Sequence, residues 1–284
     1  MRWQDGRRSD NVEDRRGITP GKVVGGGIGI VIIAVVAMLF GVDPSTLMNL
    51  LNQGTSQESS QSTQPGTPLP KDELTDFVSV VLADTEDTWR ELFRQMNRNY
   101  QDPKLVLFSG AVDSACGYAQ AAMGPFYCPN DQKVYIDLSF YRDLKERFKA
   151  PGDFAQAYVI AHEIGHHVQN LLGVLEKVHA RQQEVSKTEA NQLSVRLELQ
   201  ADCLAGVWAY HAEKARNLLE KGDVEEGLNE ASSIGDDRLQ KQAQGYVVPD
   251  SFTHGASEQR VRWFSNGMKT GKVNSCNTFN VSSL

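Results

Sequence analysis

Apolar residues recur at helical spacing through most of the chain after residue 75, and this pattern predicts a mainly helical protein. Residues 76–100 give a clear example, with Phe77, Val80 and Trp89 on one face of an amphipathic helix. Further helices are predicted at about 140–148, 154–171, 189–219, 224–243 and 257–268. Short strands are predicted at 104–108, 126–128 and 133–138, the last two forming a hairpin. A small sheet followed by a helical mass makes the expected fold class α+β.

An uncharged apolar run, VVGGGIGIVIIAVVAMLFGV, occupies residues 23–42. Twenty helical residues rise about 30 Å, which matches the hydrocarbon thickness of a bilayer. A cleaved signal peptide is the alternative, but its apolar region is shorter, about 7–15 residues, and no good cleavage site follows Phe40. A buried helix of a soluble protein is disfavoured because no polar stripe interrupts the run. The sequence therefore predicts that one transmembrane helix precedes the α+β domain.

The segments around this run suggest its orientation. Residues 1–22 carry six basic and four acidic side chains, and a basic flank favours a cytoplasmic N-terminus with the rest of the chain outside the cytoplasm. Residues 52–70 are rich in Ser, Gln, Thr, Gly and Pro, a composition that cannot bury apolar surface and is typical of a flexible tether. The expected organisation is a cytoplasmic tail (1–22), a transmembrane anchor (23–42), a flexible linker (43–70) and a folded domain (71–284).

The four cysteines fit a location outside the cytosol, where an even number suggests two disulfides. Three pairings are possible. The pair Cys116 and Cys128 is favoured because these residues flank a short loop, which leaves Cys203 with Cys276. The alternative is four unpaired thiols, with Cys203 a small core residue.

Charge narrows the choice of partners. The chain has a formal net charge of −7 and 40% hydrophobic residues, an ordinary globular composition with an acidic bias. Nucleic-acid binding usually requires a basic face that contacts phosphates, so nucleic acid is not expected as a partner. The composition does not reveal the oligomeric state.

A short motif carries the main chemical signal. Residues 161–170 read AHEIGHHVQN. On a helix, positions four apart lie on one face, so His162 and His166 can hold one metal ion. Glu163 lies about 100° further round the helix, where it can contact a metal-bound water without ligating the metal. The alternative is a surface helix with solvated histidines, which the strong apolar face of this segment disfavours.

A third ligand is expected in the segment RLELQADCLAG, where Glu198 and Asp202 stand four apart on a largely apolar helix. Two acids in such surroundings are unfavourable unless they are paired or bind metal. Glu198 would complete the ligand set, and Asp202 would accept the second N–H of a ligand histidine, His162 being preferred. An exposed acidic pair is the alternative reading, and Glu184 and Glu189 are weaker ligand candidates because neither has an acid four residues on.

The segments HEIGHHVQN, RLELQADCLAG and SFTHGASEQRVRWF resemble the bacterial putative neutral zinc metallopeptidases, single-pass membrane proteins with a gluzincin-like site. The match covers most of the chain. It implies a zincin-like domain in the bacterial cell envelope, one Zn²⁺ ion, and a peptide or protein substrate. By this resemblance His162, His166 and Glu198 are zinc ligands and Glu163 is the catalytic base.

His254 lies in the segment SFTHGAS, just before a helix predicted to open at Ser257. A histidine on a loop can reach over a metal and donate to the oxyanion, as the equivalent late histidine does in gluzincins. A helix-capping or other structural role is an equally good reading. His167 points away from His166 and is interpreted as a residue that supports the site or is exposed, and His179 and His211 are interpreted as surface residues because neither has a partner at ligand spacing.

These observations lead to one expected function and two alternatives. The expected function is zinc-dependent peptide-bond hydrolysis by a neutral metalloendopeptidase tethered to the membrane. One alternative is a non-catalytic envelope scaffold in which zinc braces two helices, a role that requires four protein ligands, with His254 as the candidate for the fourth. The other is an amide hydrolase that acts on peptidoglycan, since the zinc chemistry would be the same.

Overall fold

In a computed structural model of the protein, residues 1–17, 72–146, 152–281 and 283–284 are described, and most of them are helical. The helices are α1 (Glu73–Gln95), α2 (Ser139–Glu146), α3 (Asp153–Leu171), α4 (Val174–Gln182), α5 (Lys187–Arg216), α6 (Asp223–Ser233), α7 (Asp236–Gln244) and α8 (Ser257–Thr270). Single 3₁₀ turns are found at Ala121–Met123, Pro249–Ser251, Val273–Cys276 and Thr278–Asn280. The strands are β1 (Val12–Asp14), β2 (Lys104–Phe108), β3 (Ala111–Ser114), β4 (Gly117–Gln120), β5 (Phe126–Cys128) and β6 (Lys133–Asp137).

The main sheet has the strand order β1-β2-β6-β5. β1 and β6 pair with β2 in parallel, whereas β5 pairs with β6 in antiparallel orientation. Residues 105–108 of β2 and 134–137 of β6 are buried, as expected for central strands. β5 therefore forms one edge of the sheet, and β3 and β4 make a separate antiparallel hairpin.

The helices α3, α5 and α8 pack closely because small residues stand where they cross. A Cβ atom added to Gly165 of α3 would lie 3.0 Å from the carbonyl oxygen of Ala201 on α5. A Cβ atom added to Gly267 of α8 would collide with the carbonyl oxygen of Cys203, also on α5. The sequence thus permits backbone-to-backbone approach at both crossings, with α5 in the middle.

Large side chains fill the space around these crossings. Trp208 of α5 stacks on Phe154 of α3 with ring centroids 6.0 Å apart, and both side chains are fully buried. The indole nitrogen of Trp208 donates to Asp84 of α1 at 2.7 Å, which ties α1 to the same core. A single cluster of buried apolar residues contains parts of the sheet and of α1, α3, α5 and α8.

The described N-terminal residues belong to the same compact unit as the chain from residue 72 onwards. β1 pairs with β2 in the register Val12↔Leu105. Trp3 is buried and meets Phe77 of α1 edge-to-face at 5.4 Å. Residues 1–17, expected to form part of a separate cytoplasmic tail, thus contribute a strand and core side chains to the folded unit.

The predicted fold class needs a correction in its membrane part. Among the described residues no helix is both long and apolar enough to cross a membrane. The physical reason is polarity, since α1, α3 and α5, at 23, 19 and 30 residues, carry charged or polar side chains along their length. The run at 23–42, which was predicted to be the anchor, and the linker predicted at 43–70 both lie outside the described residues. The supported architecture is a mainly helical protein with a small sheet.

The predicted single-pass localisation is corrected for the same reason and for a second one. It placed the N-terminus in the cytoplasm and the domain that begins at residue 71 on the other side of a membrane. In the structure β1 and β2, from the two sides of this division, pair in one sheet. Two paired strands cannot lie on opposite faces of a bilayer, so this topology has no support.

Both disulfides favoured by the sequence are present. Cys116 is bonded to Cys128, which links the β3–β4 turn to β5, and their Cα atoms are 5.8 Å apart. Cys203 of α5 is bonded to Cys276 near the C-terminus, with Cα atoms 5.5 Å apart. Disulfides form and persist in oxidising compartments, so both bridges are compatible with an exported protein.

Several elements differ from the sequence expectation. β1, the β3–β4 hairpin and α4 were not anticipated. The single helix expected at 224–243 is divided at Gly235 into α6 and α7. A side chain at Gly235 would collide with Ser257, whose backbone N–H donates to Asp237 at 2.7 Å. The break lets the start of α8 pack against the start of α7.

Candidate active site and metal centre

The two motif histidines project from one face of α3. Their ring centroids are 4.8 Å apart and the rings meet edge-to-face. The Nε2 atom of His162 lies 3.1 Å from Oε2 of Glu198, and the Nε2 atom of His166 lies 3.4 Å from Oε1 of the same carboxylate. The close approach of α3 and α5 at Gly165 brings these three side chains together.

This donor set fits a zinc ion. One donor atom from each of the three side chains lies within 4.8 Å of the other two. Ligand atoms placed about 2.0–2.1 Å from a tetrahedral zinc ion would be roughly 3.3 Å from one another, close to the two separations of 3.1 and 3.4 Å. Two imidazole nitrogens and one carboxylate oxygen are a donor combination typical of zinc. The assignment of these three residues as ligands remains a prediction that the geometry favours.

A buried carboxylate holds the first histidine in place. The Nδ1 atom of His162 lies 2.8 Å from Oδ1 of Asp202, a wholly buried residue of α5. Arg260 of α8 donates to both oxygens of Asp202, at 2.9 and 2.8 Å, and the hydroxyl of Tyr158 donates to it as well. Burial acts to raise the pKa of Asp202, but Arg260 and His162 outweigh it and lower the pKa to about 2. The carboxylate therefore stays charged and directs the Nε2 atom of His162 towards Glu198.

The electrostatics of the cluster favour a bound cation. Burial alone would lower the pKa of His162, yet Asp202 and Glu198 raise it to about 10. The pKa of His166 is also raised, chiefly by Glu198 acting against burial. Burial acts to raise the pKa of Glu198, but His166 and His162 hold it well below its usual range. The same carboxylates that attract protons to the imidazoles would attract a divalent ion in their place.

Glu163 is buried beside the two histidines and lines a cavity of about 560 Å³. The donors His162, His166 and Glu198 face this cavity. Its other walls are largely apolar or aromatic and come from the segment before and within β5, from α2, α3, α4, α5 and α7, and from Ile234 just after α6. Those walls include Met123, Pro125, Phe126, Tyr127, Phe140, Val159, Leu175, Leu197, Ile234 and Leu239.

His254 lies on the wall of the same cavity, with 53% of its side chain exposed. Its loop is fastened by Asp236, the first residue of α7, whose Oδ2 atom accepts the backbone N–H groups of Thr253, His254 and Gly255 at 2.7, 2.6 and 3.0 Å. The Nδ1 atom of His254 lies 3.3 Å from Oδ1 of Asp236. This hydrogen bond raises the pKa of His254 against the opposing effect of burial. Its catalytic role remains a prediction.

His167 supports the cavity wall. Its Nε2 atom lies 2.7 Å from the carbonyl oxygen of Gln101, so it must donate there, and its Nδ1 atom accepts from the hydroxyl of Tyr127 at 3.0 Å. Burial lowers the pKa of His167 to about 4, so the ring is neutral at pH 7. Of the other two histidines, His179 lines the cavity and His211 bonds to the carbonyl oxygen of Gly271 at 2.8 Å.

Sequence reasoning missed several supporting residues. Tyr158 and Arg260 fix Asp202, Asp236 fixes the His254 loop, and Gln169 accepts from the Nδ1 atom of His166 at 2.9 Å. Arg260 offered one signal, because it is a charged residue next to apolar Val261 and Trp263 in a helical segment. Gln169 and Tyr158 offered none, because both are ordinary on a helix.

The chain also matches a known protein family along most of its length. The family described as "Putative neutral zinc metallopeptidase" matches residues 1–279. The chain belongs to this family. The resemblance inferred from the sequence is thereby confirmed at the level of the family.

Similar proteins occur in bacteria. A protein of Escherichia coli (strain K12) described as "Uncharacterized protein YpfJ" is 53% identical over 292 residues, which span 99% of this chain and 100% of the relative. A protein of Mycobacterium tuberculosis (strain H37Rv) described as "Uncharacterized protein Rv2575" is 38% identical over 262 residues, 87% of this chain and 86% of the relative. No solved structure matches the chain.

Proposed function

We propose that this member of the family is a zinc-dependent metalloendopeptidase that hydrolyses peptide bonds. The observation that carries the proposal is the convergence of two imidazole Nε2 atoms and the Glu198 carboxylate at 3.1 and 3.4 Å in the wall of a cavity of about 560 Å³. A site for catalysis needs both ligands and room for a substrate, and this cavity supplies both.

His162, His166 and Glu198 would hold the zinc ion. When bound there, zinc supplies a Lewis acid that lowers the pKa of water to about 7 and polarises a carbonyl group. Within the described part of the chain, the cluster that could hold this ion consists of three side chains. Three protein ligands leave a fourth position for water or substrate, whereas a bracing site of the scaffold type uses four.

Glu163 is the proposed general base. It accepts a proton from the attacking water and passes it to the nitrogen of the leaving amine. Its position one residue after His162 places the carboxylate beside the ligands without making it one. Burial next to the reacting atoms keeps bulk water from competing for the proton.

His254 is the proposed electrophilic partner. Asp236 favours the protonated imidazole, and with Nδ1 directed at Asp236 the Nε2–H group is left to donate. A donor on the cavity wall can stabilise the negative charge that develops on the carbonyl oxygen of the scissile bond. Asp236 therefore acts as a positioning residue for His254.

An extended peptide is the proposed substrate. β5 forms one edge of the main sheet, and Phe126 and Tyr127 of this strand line the cavity. An edge strand offers backbone groups that can pair with an extended chain. The wall formed by Met123, Pro125, Phe126 and Phe140 is apolar, which favours an apolar side chain of the substrate on that side of the cavity.

The test is cleavage of casein, an unstructured protein, by the zinc-loaded full chain. We expect activity that a chelator removes and added zinc restores. Glu163→Gln should lower turnover by at least about 10³-fold while the zinc content remains at that of the wild type. Glu189→Gln, at an exposed position of α5, is the matched control and should retain activity. Undiminished cleavage by Glu163→Gln, or zinc-loaded wild type with no cleavage, would contradict the proposal.

A further inference from the structure

The second motif histidine is held in a different way from the first. The Nδ1 atom of His162 contacts the charged carboxylate of Asp202. The Nδ1 atom of His166 instead lies 2.9 Å from Oε1 of Gln169, a neutral amide on the same helix. Gln169 is fully buried. A neutral amide could present either its oxygen or its nitrogen to the ring, so something else must fix its direction.

Two acceptors on α5 fix the direction of the Gln169 amide. The Nε2 atom of Gln169 lies 2.7 Å from the carbonyl oxygen of Leu197 and 3.1 Å from Oε1 of Gln200, both on α5. A backbone carbonyl can only accept, so the nitrogen of Gln169 must face Leu197 and its oxygen must face His166. The proton of His166 is then held on Nδ1, and Nε2 is left as a lone-pair donor directed at Glu198.

A third amide contact extends this series of hydrogen bonds to the C-terminal segment of the protein. The Nε2 atom of Gln200 donates to the carbonyl oxygen of Cys276 at 3.0 Å, so the direction of Gln200 is also set by a backbone carbonyl. Its oxygen is thereby turned towards Gln169. The hydrogen bonds run from His166 through Gln169 and Gln200 to Cys276, so Gln200 gives the amide nitrogen of Gln169 a second acceptor beside the carbonyl oxygen of Leu197.

The C-terminal segment that contains Cys276 and Thr278 is anchored on one face of α5. Positions 196, 200 and 203 are spaced by four and three residues, so their side chains share a face. Arg196 donates to the carbonyl oxygen of Thr278, whose hydroxyl donates back to the carbonyl oxygen of Arg196 at 2.6 Å. Cys203 is bonded to Cys276 itself. The covalent bond therefore holds the carbonyl group that Gln200 needs.

We propose that Gln169 and Gln200 are positioning residues that set the tautomer and direction of His166 for metal binding, and that the Cys203–Cys276 disulfide anchors this amide relay. The inference rests on the proposed metal site. It makes zinc affinity depend on residues that do not touch the ion, and it links the ligand set to the redox state of one disulfide. Supporting residues of this kind commonly change metal affinity by about 10–100-fold.

The experiment measures the zinc dissociation constant of the full chain by competition with a chelator. Gln169→Met should weaken zinc binding by about 10–100-fold, and Gln200→Met by less, about 3–10-fold, because it acts through Gln169. The visible spectrum of the cobalt(II)-loaded protein should change in both variants, since the direction of His166 changes. If Gln169→Met does not fold, Gln200→Met still gives the test.

Asn191→Leu is the matched control. Asn191 also lies on α5, and its amide also donates to a backbone carbonyl outside the helix, that of Asp250 at 2.9 Å. Its loss should lower the melting temperature without changing zinc affinity or the cobalt spectrum. If Gln169→Met and Gln200→Met behave like Asn191→Leu, the two glutamines are merely structural and the proposal is overturned.

Cysteine variants test the anchor. Cys276→Ser should weaken zinc binding by about 3–10-fold, as Gln200→Met does. Cys116→Ser, which breaks the other disulfide, should leave zinc affinity unchanged. Equal affinities for Cys276→Ser and the wild type would overturn the role of the disulfide. A wild-type chain that binds no zinc would overturn the proposed function itself, which distinguishes the two failures.

Discussion

The Nδ1 atom of His162 lies 2.8 Å from Oδ1 of Asp202, and these two residues come from different helices, α3 and α5. Asp202 is wholly buried and receives a two-point contact from Arg260 of α8. Three helices therefore meet at one carboxylate whose charge is neutralised from one side while it orients a candidate ligand on the other. The ligand geometry thus depends on helix packing as well as on the motif.

Asp202→Asn should damage both the metal site and the fold. An asparagine can still accept from His162, but the buried guanidinium of Arg260 loses its counter-charge. We expect zinc affinity to fall by about 10–100-fold and the free energy of unfolding to fall by about 3–5 kcal/mol. Chelator competition and urea denaturation measure the two effects. Asp113→Asn, at an exposed strand position, is the control, and equal behaviour of the two variants would contradict this account.

Gly165→Ala should separate the ligands by moving α3 away from α5. The new methyl group would lie 3.0 Å from the carbonyl oxygen and 3.1 Å from the Cα atom of Ala201, and backbone atoms cannot move aside alone. We expect a loss of about 1–3 kcal/mol in stability together with weaker zinc binding.

Gly227→Ala is the comparison for Gly165→Ala, because its methyl group would press on the ring of Phe154 at 2.9 Å, away from the ligands. It should lower stability but preserve zinc affinity. If both variants bind zinc like the wild type, the helix crossing at Gly165 does not set the distance between ligands.

Periodicity predicted the elements that have one clear apolar face. The helix containing His162 and the one containing Glu198 were both located from sequence, as were β2 and the β5–β6 hairpin. β1 was missed because Val12, Glu13 and Asp14 show no apolar face. That strand is held by pairing with β2 and by the ion pair of Glu13 with Lys133, and neither contact leaves a local pattern.

The parts of the candidate site that lie within one helix were predictable from the spacing of residues in the sequence. His162, Glu163 and His166 fall within one helix, and the pairing of Glu198 with Asp202 within another. The contact of Arg260 with Asp202 joins positions 58 residues apart, and the contacts of Gln169 run to another helix. Such partners depend on tertiary packing, which a single sequence does not specify at the level of one side chain.

Glu230 should make stability depend on pH. It is fully buried on α6, its Oε1 atom lacks a hydrogen-bond partner within the described part of the chain, and burial raises its pKa to about 7. The folded state therefore keeps a proton between pH 4.5 and about 7 that the unfolded state has lost. Its stabilising contribution is complete below pH 4.5 and disappears as the pH rises through 7, a change of about 3 kcal/mol at most.

Glu230→Gln should remove this dependence, since an amide is neutral at every pH. Urea denaturation at pH 5 and pH 8 should show a smaller difference for this variant than for the wild type, with the gain in stability at pH 8. Glu225→Gln, an exposed position on the same helix, should leave the difference as it is in the wild type. An unchanged difference for Glu230→Gln would show that Glu230 does not titrate in this range.

His254→Ala distinguishes the two roles that the sequence left open. If His254 donates to the developing oxyanion, turnover should fall by about 10²–10³-fold with little change in KM, because the interaction strengthens only in the transition state. Zinc affinity should not change, since His254 lies outside the cluster of three donors. A structural role would instead lower the melting temperature and leave kcat near that of the wild type.

His211→Ala serves as the comparison, because His211 also bonds to a loop, at the carbonyl oxygen of Gly271, but does not line the cavity. A variant of His254 that loses stability as His211→Ala does, yet cleaves casein at the wild-type rate, would assign His254 to the support of its loop.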